Sequence, residues 1–312
     1  MSLFLQLLVV GIATGAIYAL IALGYTMVYG IIELINFAHG DIFMIGSMVS
    51  IAILSLMGIN ADSHPQGFTL VSALVLACLG SIVVCAVLGV VIEIVAYRPL
   101  RNAPRLAPLI SAIGVSLILE DLGKLWKGNT YVAFPQIFPK VDFTLGPLSF
   151  SNINVLVVLI AVVLMVALQW LVTSTRIGRA MRAVAQDRDA AALMGVNVNQ
   201  VISITFIIGS ALAGAAGFIY GLQYGSTIFT VGFNLGLVAF TAAVLGGIGN
   251  IAGAMAGGII IGVIESLATL IPESVLPHGG GAWSRAIIFA ILILILVFRP
   301  SGLFGQQVPE KV

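Results

Sequence analysis

Residues 173–203 read TSTRIGRAMRAVAQDRDAAALMGVNVNQVIS, and their reading decides what kind of chain this is. Arg176, Arg179, Arg182, Asp187, Arg188 and Asp189 crowd into this one stretch, although only 8% of the 312 residues are charged. Apolar runs flank it on both sides, at 152–172 and 200–223. A chain that concentrates nearly half of its arginines between two apolar runs is presenting that segment to the cytoplasmic side of a membrane.

The composition outside this stretch agrees. Hydrophobic residues make up 60% of the chain and the mean hydropathy is +1.17, which excludes a soluble globule, whose surface needs many more charges. Apolar stretches long enough to cross a bilayer recur from end to end. The fold class is therefore all-α, a polytopic helical membrane protein of eight or nine transmembrane helices, with residues 1–312 forming a single transmembrane domain. The lipid bilayer is its first partner. The net charge of +1 gives no pointer to nucleic acid, and no basic run extends far enough to track a phosphate backbone, so no nucleic-acid partner is expected. Cys78 and Cys85, seven residues apart on one helix, sit roughly 10 Å from each other and read as two small packing residues. Met1-Ser2-Leu3-Phe4 has no Lys or Arg and no small-residue cleavage site follows, so the first apolar run reads as a retained span.

The spans are predicted at 3–29, 40–59, 70–95, 106–122, 152–172, 200–223, 234–248, 251–271 and 284–299. Arg98, Arg101 and Arg105 mark the loop 96–105 as cytoplasmic, together with 173–199. The segment 121–151 then lies outside, with Lys124, Lys127 and Lys140 balanced by Glu120, Asp121 and Asp142 and broken by Pro135, Pro139 and Pro147. If all nine spans cross, the N-terminus is periplasmic and the tail after Arg299 is inside. The short 234–248 segment is the alternative: re-entrant, or paired with 251–271 as one broken helix.

Small residues recur at four-residue spacing. Gly209, Ala213, Gly217, Gly221 and Gly225 form one row, Gly249, Gly253 and Gly257 another, and Ala254, Gly258, Gly262 and Ser266 a third beside it. Gly11, Gly15 and Ala19 open the chain the same way. Such rows let helix backbones approach closely where hydrophobicity cannot drive association, so Gly217, Gly221, Gly249, Gly253 and Gly257 are expected to be helix-packing positions. Gly15-Ala16-Ile17-Tyr18-Ala19-Leu20 also resembles Gly217-Phe218-Ile219-Tyr220-Gly221-Leu222, which hints at an internal repeat of the kind transporters use.

Few ionisable residues fall at membrane depth. Glu265 lies within 251–271, where an acid costs at least ~2.5–3.5 kcal/mol and must face a cavity or a partner. Glu93 lies near a helix end, one turn from Tyr97 and Arg98, and snorkelling or local pairing explains it. Asn36-Phe37-Ala38-His39-Gly40-Asp41 is polar backbone between two apolar runs, either a loop or a half-helix junction. Asn36, His39, Asp41 and Glu265 are the candidate residues of a translocation pathway. No G-x-x-x-x-G-K-[ST] occurs, so the chain itself does not hydrolyse nucleotides. Gly246-Gly247-Ile248-Gly249 follows no strand, and His39, His64 and His278 are too scattered to frame a metal site. No catalytic residue, metal or cofactor is called for.

Arg179, Arg182, Gln186 and Asp189 fall on one side of an amphipathic helix and Ala180, Val184, Ala191 and Met194 on the other. It reads as one helix or as two short ones divided near Asp187, which can cap the second. Asp189-Ala190-Ala191-Ala192-Leu193-Met194-Gly195 resembles the E-A-A-x-x-x-G pattern by which ABC importer permeases dock into their ATPase, with Asp in place of the first Glu. The resemblance extends end to end through G-A-I-Y-A-L-I-A-L-G-Y-T-M-V-Y-G from Gly15, I-N-F-A-H-G-D at Ile35–Asp41, A-Y-R-P-L-R at Ala96–Arg101, S-A-I-G at Ser111–Gly114 and F-T-A-A-V-L-G-G-I-G at Phe240–Gly249. Together these motifs resemble the branched-chain amino acid ABC permease family of the LivH type.

That resemblance implies an inner-membrane importer with a second homologous permease subunit, two cytoplasmic ATPase subunits and a periplasmic substrate-binding protein. It implies leucine, isoleucine or valine as cargo, while related permeases carry urea or short amides. It also implies that Arg179, Arg182, Asp189, Ala190, Ala191 and Gly195 form the ATPase-docking segment. The competing class is an ion-coupled secondary transporter using Glu265 and Asp41, which leaves the charged loop unexplained. An intramembrane enzyme lacks any nucleophile–base pair.

Overall fold

Nine apolar helices and one charged helical corner make up the described part of the chain. The computed structural model describes residues 2–60, 63, 65–101, 103–104, 106–137, 140–145 and 148–305. Arg105, His64, Pro139 and Pro147 fall outside the described residues. The helices are α1 (Ser2–Ile32), α2 (His39–Leu56), α3 (Gly67–Ile92), α4 (Leu106–Lys127), α5 (Asn152–Ser174), α6 (Arg176–Gln186), α7 (Arg188–Leu193), α8 (Val198–Tyr224), α9 (Val231–Gly246), α10 (Ile251–Ala268) and α11 (Gly279–Phe298). A π-helical turn at Glu93–Tyr97 and a 3-10 turn at Arg98–Leu100 prolong α3. Among the described residues, eight helices are long and apolar enough to cross a membrane, and Val231–Gly246 is a shorter one. Short strands β1 (Val132–Ala133) and β4 (Ser226–Thr227) pair, as do β2 (Asp142–Leu145) and β3 (Leu148–Ser151).

α1, α2 and α8 form the centre, with α3, α4, α5 and α11 carrying many of the exposed Val, Leu and Ile side chains. The small-residue rows set the closest approaches. A Cβ at Gly258 would collide with Ala19, and one at Gly262 with the Gly15 backbone, so the third row of α10 seats against the opening row of α1. Gly253 and Gly257 turn the adjacent face of α10 onto Gly246 and Ala242 of α9. Gly217 fits between Phe43 and Ser47 of α2, and Gly221 against the Phe134 ring. Gly249 departs from the expectation. It precedes α10, has φ +91, and a Cβ placed there would meet nothing within 4 Å among the described residues. It is a turn residue ahead of the Asn250 cap and not a packing position. Gly225, with φ +68, likewise ends α8 in the left-handed conformation.

The segment 234–248 is neither a full span nor the first half of a broken helix with 251–271. It is α9, folded back on α10 as a tight hairpin. The chain leaves α1 at Ile32 and returns alongside it, so that α2 begins where His39 meets Gly24 and then runs toward the N-terminal end of α1. In the same way the chain leaves α8 at Tyr224 and returns to Val231, and α9 then runs past Tyr25 toward the C-terminal end of α1, where Phe240 lies 6.0 Å from the Tyr25 ring. α2 and α9 therefore point in opposite directions and overlap at their first turns. The structural repeat is α1–α2 against α8–α9. The six-residue likeness of Gly15–Leu20 to Gly217–Leu222 is out of register with it, because α1 continues to Ile32 while α8 stops at Tyr224.

The arginine-bearing segments meet at one end, where Arg101 bonds Asn199, Arg98 bonds Ser203 and Arg188 bonds Ile31. The tail joins them, since Leu303 and Phe304 donate to Leu245 and Gly246 at the end of α9. The segment 128–137 lies at the opposite end, where Phe134 donates to Gly225.

Replacing Gly262 by Leu should separate α1 from α10 and cost on the order of 1–3 kcal/mol or more. Gly114→Leu, on α4 with open space around it, should change stability by less than about 0.5 kcal/mol. Thermal denaturation of the two detergent-solubilised variants, followed by size-exclusion fluorescence, separates them; equal melting would refute the close-approach role of Gly262.

Candidate functional site

Three regions carry polar chemistry: the charged corner, the crossing of α2 and α9, and the acid on α10. At the corner, Thr175 caps α6 by accepting from the Gly178 N–H at 3.0 Å, and Gly178 admits the close return against the end of α5. Asp187 ends α6 and caps α7, its Oδ1 accepting from Asp189 at 3.0 Å and Ala190 at 2.9 Å. α7 ends in a Schellman turn: Val196 donates to Ala191 and Gly195 to Ala192, with Gly195 at φ +84. A glycine suits that position because a Cβ strains the left-handed conformation.

Gly178, Met181, Val184 and Ala191 face the body of the protein. Arg179, Asp189, Ala190 and Gly195 are exposed, as expected of a docking surface. Two of the expected docking residues also make contacts within the permease itself. Ala191 is buried, because the Schellman turn folds it under Val196. Arg182, although exposed along its stem, bends back to donate to the Val172 carbonyl and satisfies the C-terminus of α5. Met194, expected on the apolar side, stands 85% exposed beside Leu193 at 89%, the two most solvent-directed apolar side chains of the corner. Apolar periodicity assigns Met194 inward; the six-residue length of α7 and the turn after it point it out.

A buried ionic knot anchors the corner's neighbour. Glu93 is fully buried and pairs with Arg98 at 2.8 Å and with Arg101, and its Oε2 also accepts from Ser203 on α8 at 2.9 Å. Local pairing with Arg98 is thus half of the arrangement, and Arg101 the other half. Burial pulls the Arg101 guanidinium down from its ordinary value, opposed by Glu93 and reinforced by Arg98 and Arg188.

Asn36-Asp41 is a half-helix junction. Gly40 lies against Gly232 and Gly236, so the first turns of α2 and α9 cross backbone to backbone. Each helix N-terminus carries roughly half a positive elementary charge and unpaired N–H groups, and both converge on Asp41. Asp41 is fully buried. Its Oδ2 accepts from Ser116 on α4, and its Oδ1 has no partner among the described residues. Asn36 accepts from Tyr97 at 3.0 Å through Oδ1, and His39 stacks edge-on to Tyr25 at 4.9 Å. Asn36 Nδ2 and His39 Nε2 are also buried and have no partner among the described residues. The three expected residues do come together, as a buried polar centre and not as an open channel lining.

Glu265 lies elsewhere, toward the far end of α10, half-buried, and accepts from the Tyr18 hydroxyl at 2.5 Å. Tyr224, bonded to Thr14 at 3.3 Å and stacked on Tyr220 at 4.6 Å, is close by on α8. No cation pairs with Glu265 among the described residues. The tyrosines escape a sequence reading because aromatic residues on a helix normally read as core. No cluster of metal-ligating residues occurs among the described residues, and both cysteines are free.

The model of the permease component of branched-chain amino acid transport systems matches residues 7–296. This chain belongs to that family. It is 42% identical over 317 residues to the high-affinity branched-chain amino acid transport system permease protein BraD of Pseudomonas aeruginosa, across 99% of this chain and 98% of the relative. It is 43% identical, over the same shares, to the corresponding LivH of Escherichia coli K12. A probable LivH of Methanocaldococcus jannaschii is 31% identical over 92% of this chain and 88% of its own. A multi-pass membrane permease is thus what the helices build.

In this permease Glu265→Leu should insert and accumulate normally, since removing a charge from the bilayer is favourable, while transport falls by about tenfold or more. Uptake of labelled substrate, normalised to permease abundance, measures it. Uptake equal to the parent's would show the acid to be dispensable.

Proposed function

We propose that this chain is the membrane-spanning permease subunit of an ABC importer that carries leucine, isoleucine and valine across a bacterial inner membrane. The observation that carries the reading is the near-full-length identity to BraD and LivH, whose names state that cargo. ATP hydrolysis belongs to two separate cytoplasmic ATPase subunits, and a second homologous permease and a periplasmic binding protein complete the machine. The whole chain, 1–312, acts as one transmembrane domain.

The corner α6–α7 is the docking element. Arg179, Asp189, Ala190 and Gly195 face the ATPase, with Leu193 and Met194 as the apolar knobs that enter its groove, since exposed apolar side chains on a rigid cap are what interface centres are made of. Arg182 and Ala191 serve the segment from within by holding its shape. Coupling then has a short mechanical path. Arg188 ties the start of α7 to the Ile31 carbonyl at 2.8 Å, and just beyond Ile31 the chain turns back toward Asn36, His39 and Asp41. Movement of the corner is delivered to the end of α1 and to the crossing of α2 with α9. Asn36, His39 and Asp41 hold that crossing, and Glu265 faces the cargo's path from the other side of α1.

Gly195→Trp tests the docking assignment. Among the described residues no atom lies within 4 Å of a Cβ there, so the bulk meets only what docks from outside. Asn tolerates the left-handed conformation, so Gly195→Asn controls for strain. Gly195→Trp should lose ATPase co-purification and leucine uptake at normal permease abundance, and Gly195→Asn should keep both. Retention of ATPase and transport by the Trp variant would mean that the corner is a solvated linker.

A further inference from the structure

The end of α1, residues Arg101, Ala103 and Pro108 and the α6–α7 corner line a pocket of about 440 Å³ on the arginine-bearing face. That is within the size range of small-ligand sites, roughly 300–1,000 Å³. Its lining mixes two kinds of residue: Leu34, Pro108 and Val184 are apolar, while Glu33, Asp187, Arg101 and Arg188 bring both signs of charge to the same pocket, Asp187 being occupied as the cap of α7. Arg101 gives its terminal nitrogens to Glu93 and Asn199 but keeps a buried Nε with no partner among the described residues. Arg188 spends one N–H on the Ile31 carbonyl and pairs with no carboxylate among the described residues. Glu33 is exposed, makes no ion pair among the described residues, and is held at φ +58, a conformation that is uncommon outside glycine.

A free α-amino acid with a branched apolar side chain matches this lining group by group: carboxylate to the guanidinium groups, ammonium to Glu33, hydrocarbon to the apolar residues. A polyanion would be repelled by Glu33, and a small inorganic ion would leave the apolar residues uncovered. The position adds a consequence. A ligand carboxylate at Arg188 draws on the same guanidinium that donates to the Ile31 carbonyl and can pull it out of line with that bond, which ties α7 to α1.

We propose that this pocket is a cytoplasmic regulatory site that binds the delivered branched-chain amino acid and slows the transporter by loosening the α6–α7 corner from α1. The inference rests on the proposed importer reading and adds feedback by its product. The test uses the complete complex in proteoliposomes with the ATPases facing outward and binding protein and labelled leucine sealed inside. Unlabelled leucine added outside, on the order of 1–10 mM, should lower both ATP hydrolysis and the release of label from the lumen by about fivefold to tenfold. N-acetyl-leucine, which lacks the ammonium group, should not. Ala103→Trp fills the pocket from its rim and should keep its ATPase subunits and ATP hydrolysis while losing the response to external leucine. Glu33→Gln should shift the inhibiting concentration upward by about tenfold.

Indifference of the parent complex to external leucine, with transport intact, overturns the site and leaves the importer reading standing. Equal inhibition of Ala103→Trp also overturns it, as does loss of the ATPases from Ala103→Trp, which would assign the pocket to the docking interface. A parent complex that carries no leucine at all refutes the importer reading itself.

Discussion

Gly40 on α2 and Gly232 and Gly236 on α9 let two helix backbones touch at their first turns, and the rest of the architecture follows from that contact. α9 has 16 residues, about 24 Å at 1.5 Å per residue, which is short of a hydrocarbon core of about 30 Å. It starts inside the protein for that reason, and its unpaired N–H groups need a buried environment that supplies acceptors. Because α2 starts at the same depth and runs the other way, two positive helix ends face each other. Asp41 at the crossing offsets that field, and Ser116 holds one of its oxygens. A side chain at any of the three glycines would push the helices apart and leave those N–H groups without the carboxylate.

Two kinds of close packing support the crossing. Rows of small residues on α1, α8 and α10 bring backbones together without relying on hydrophobicity, which does not discriminate between protein and lipid. Buried polar bonds supply direction: Ser81 donates to Gly46 and Gly214 carbonyls, tying α3 to α2 and α8. Glu93, fully buried, joins the π-helical turn to Arg98, Arg101 and Ser203. Breaking one partner of such a knot leaves an uncompensated buried charge, so the arginine-bearing end is stiff where α3 meets α8. The α6–α7 corner is seated on the body by buried Gly178, Met181, Val184 and Ala191, and is tied by hydrogen bonds through Arg182 to α5 and Arg188 to α1.

Much of this was legible in the sequence because hydropathy and charge act locally. Asp187 as a cap and local pairing as one explanation of Glu93 were readable from residue type and spacing, since each depends on near neighbours in the chain. The faces of the corner were less legible: Ala191 and the Arg182 head group turn back onto the permease, and Met194, read as apolar-side, points outward beside Leu193, because α7 is too short for helical periodicity to fix its faces. Gly249 was misread for a similar reason: four-residue spacing does not reveal that the helix begins only at Ile251.

The sequence alone determined the class, the recurring apolar segments and the family, all properties carried by composition, local pattern and motif. Tertiary structure alone decided that α2 and α9 meet head to head, that Asp41 lies between them with Ser116, and that Tyr18 holds Glu265. It also decided that Glu33, Arg101 and Arg188 share one pocket. The physical reason is that these contacts join residues separated by tens to hundreds of positions, and within a bilayer no hydropathy signal distinguishes an apolar face that meets a helix from one that meets lipid.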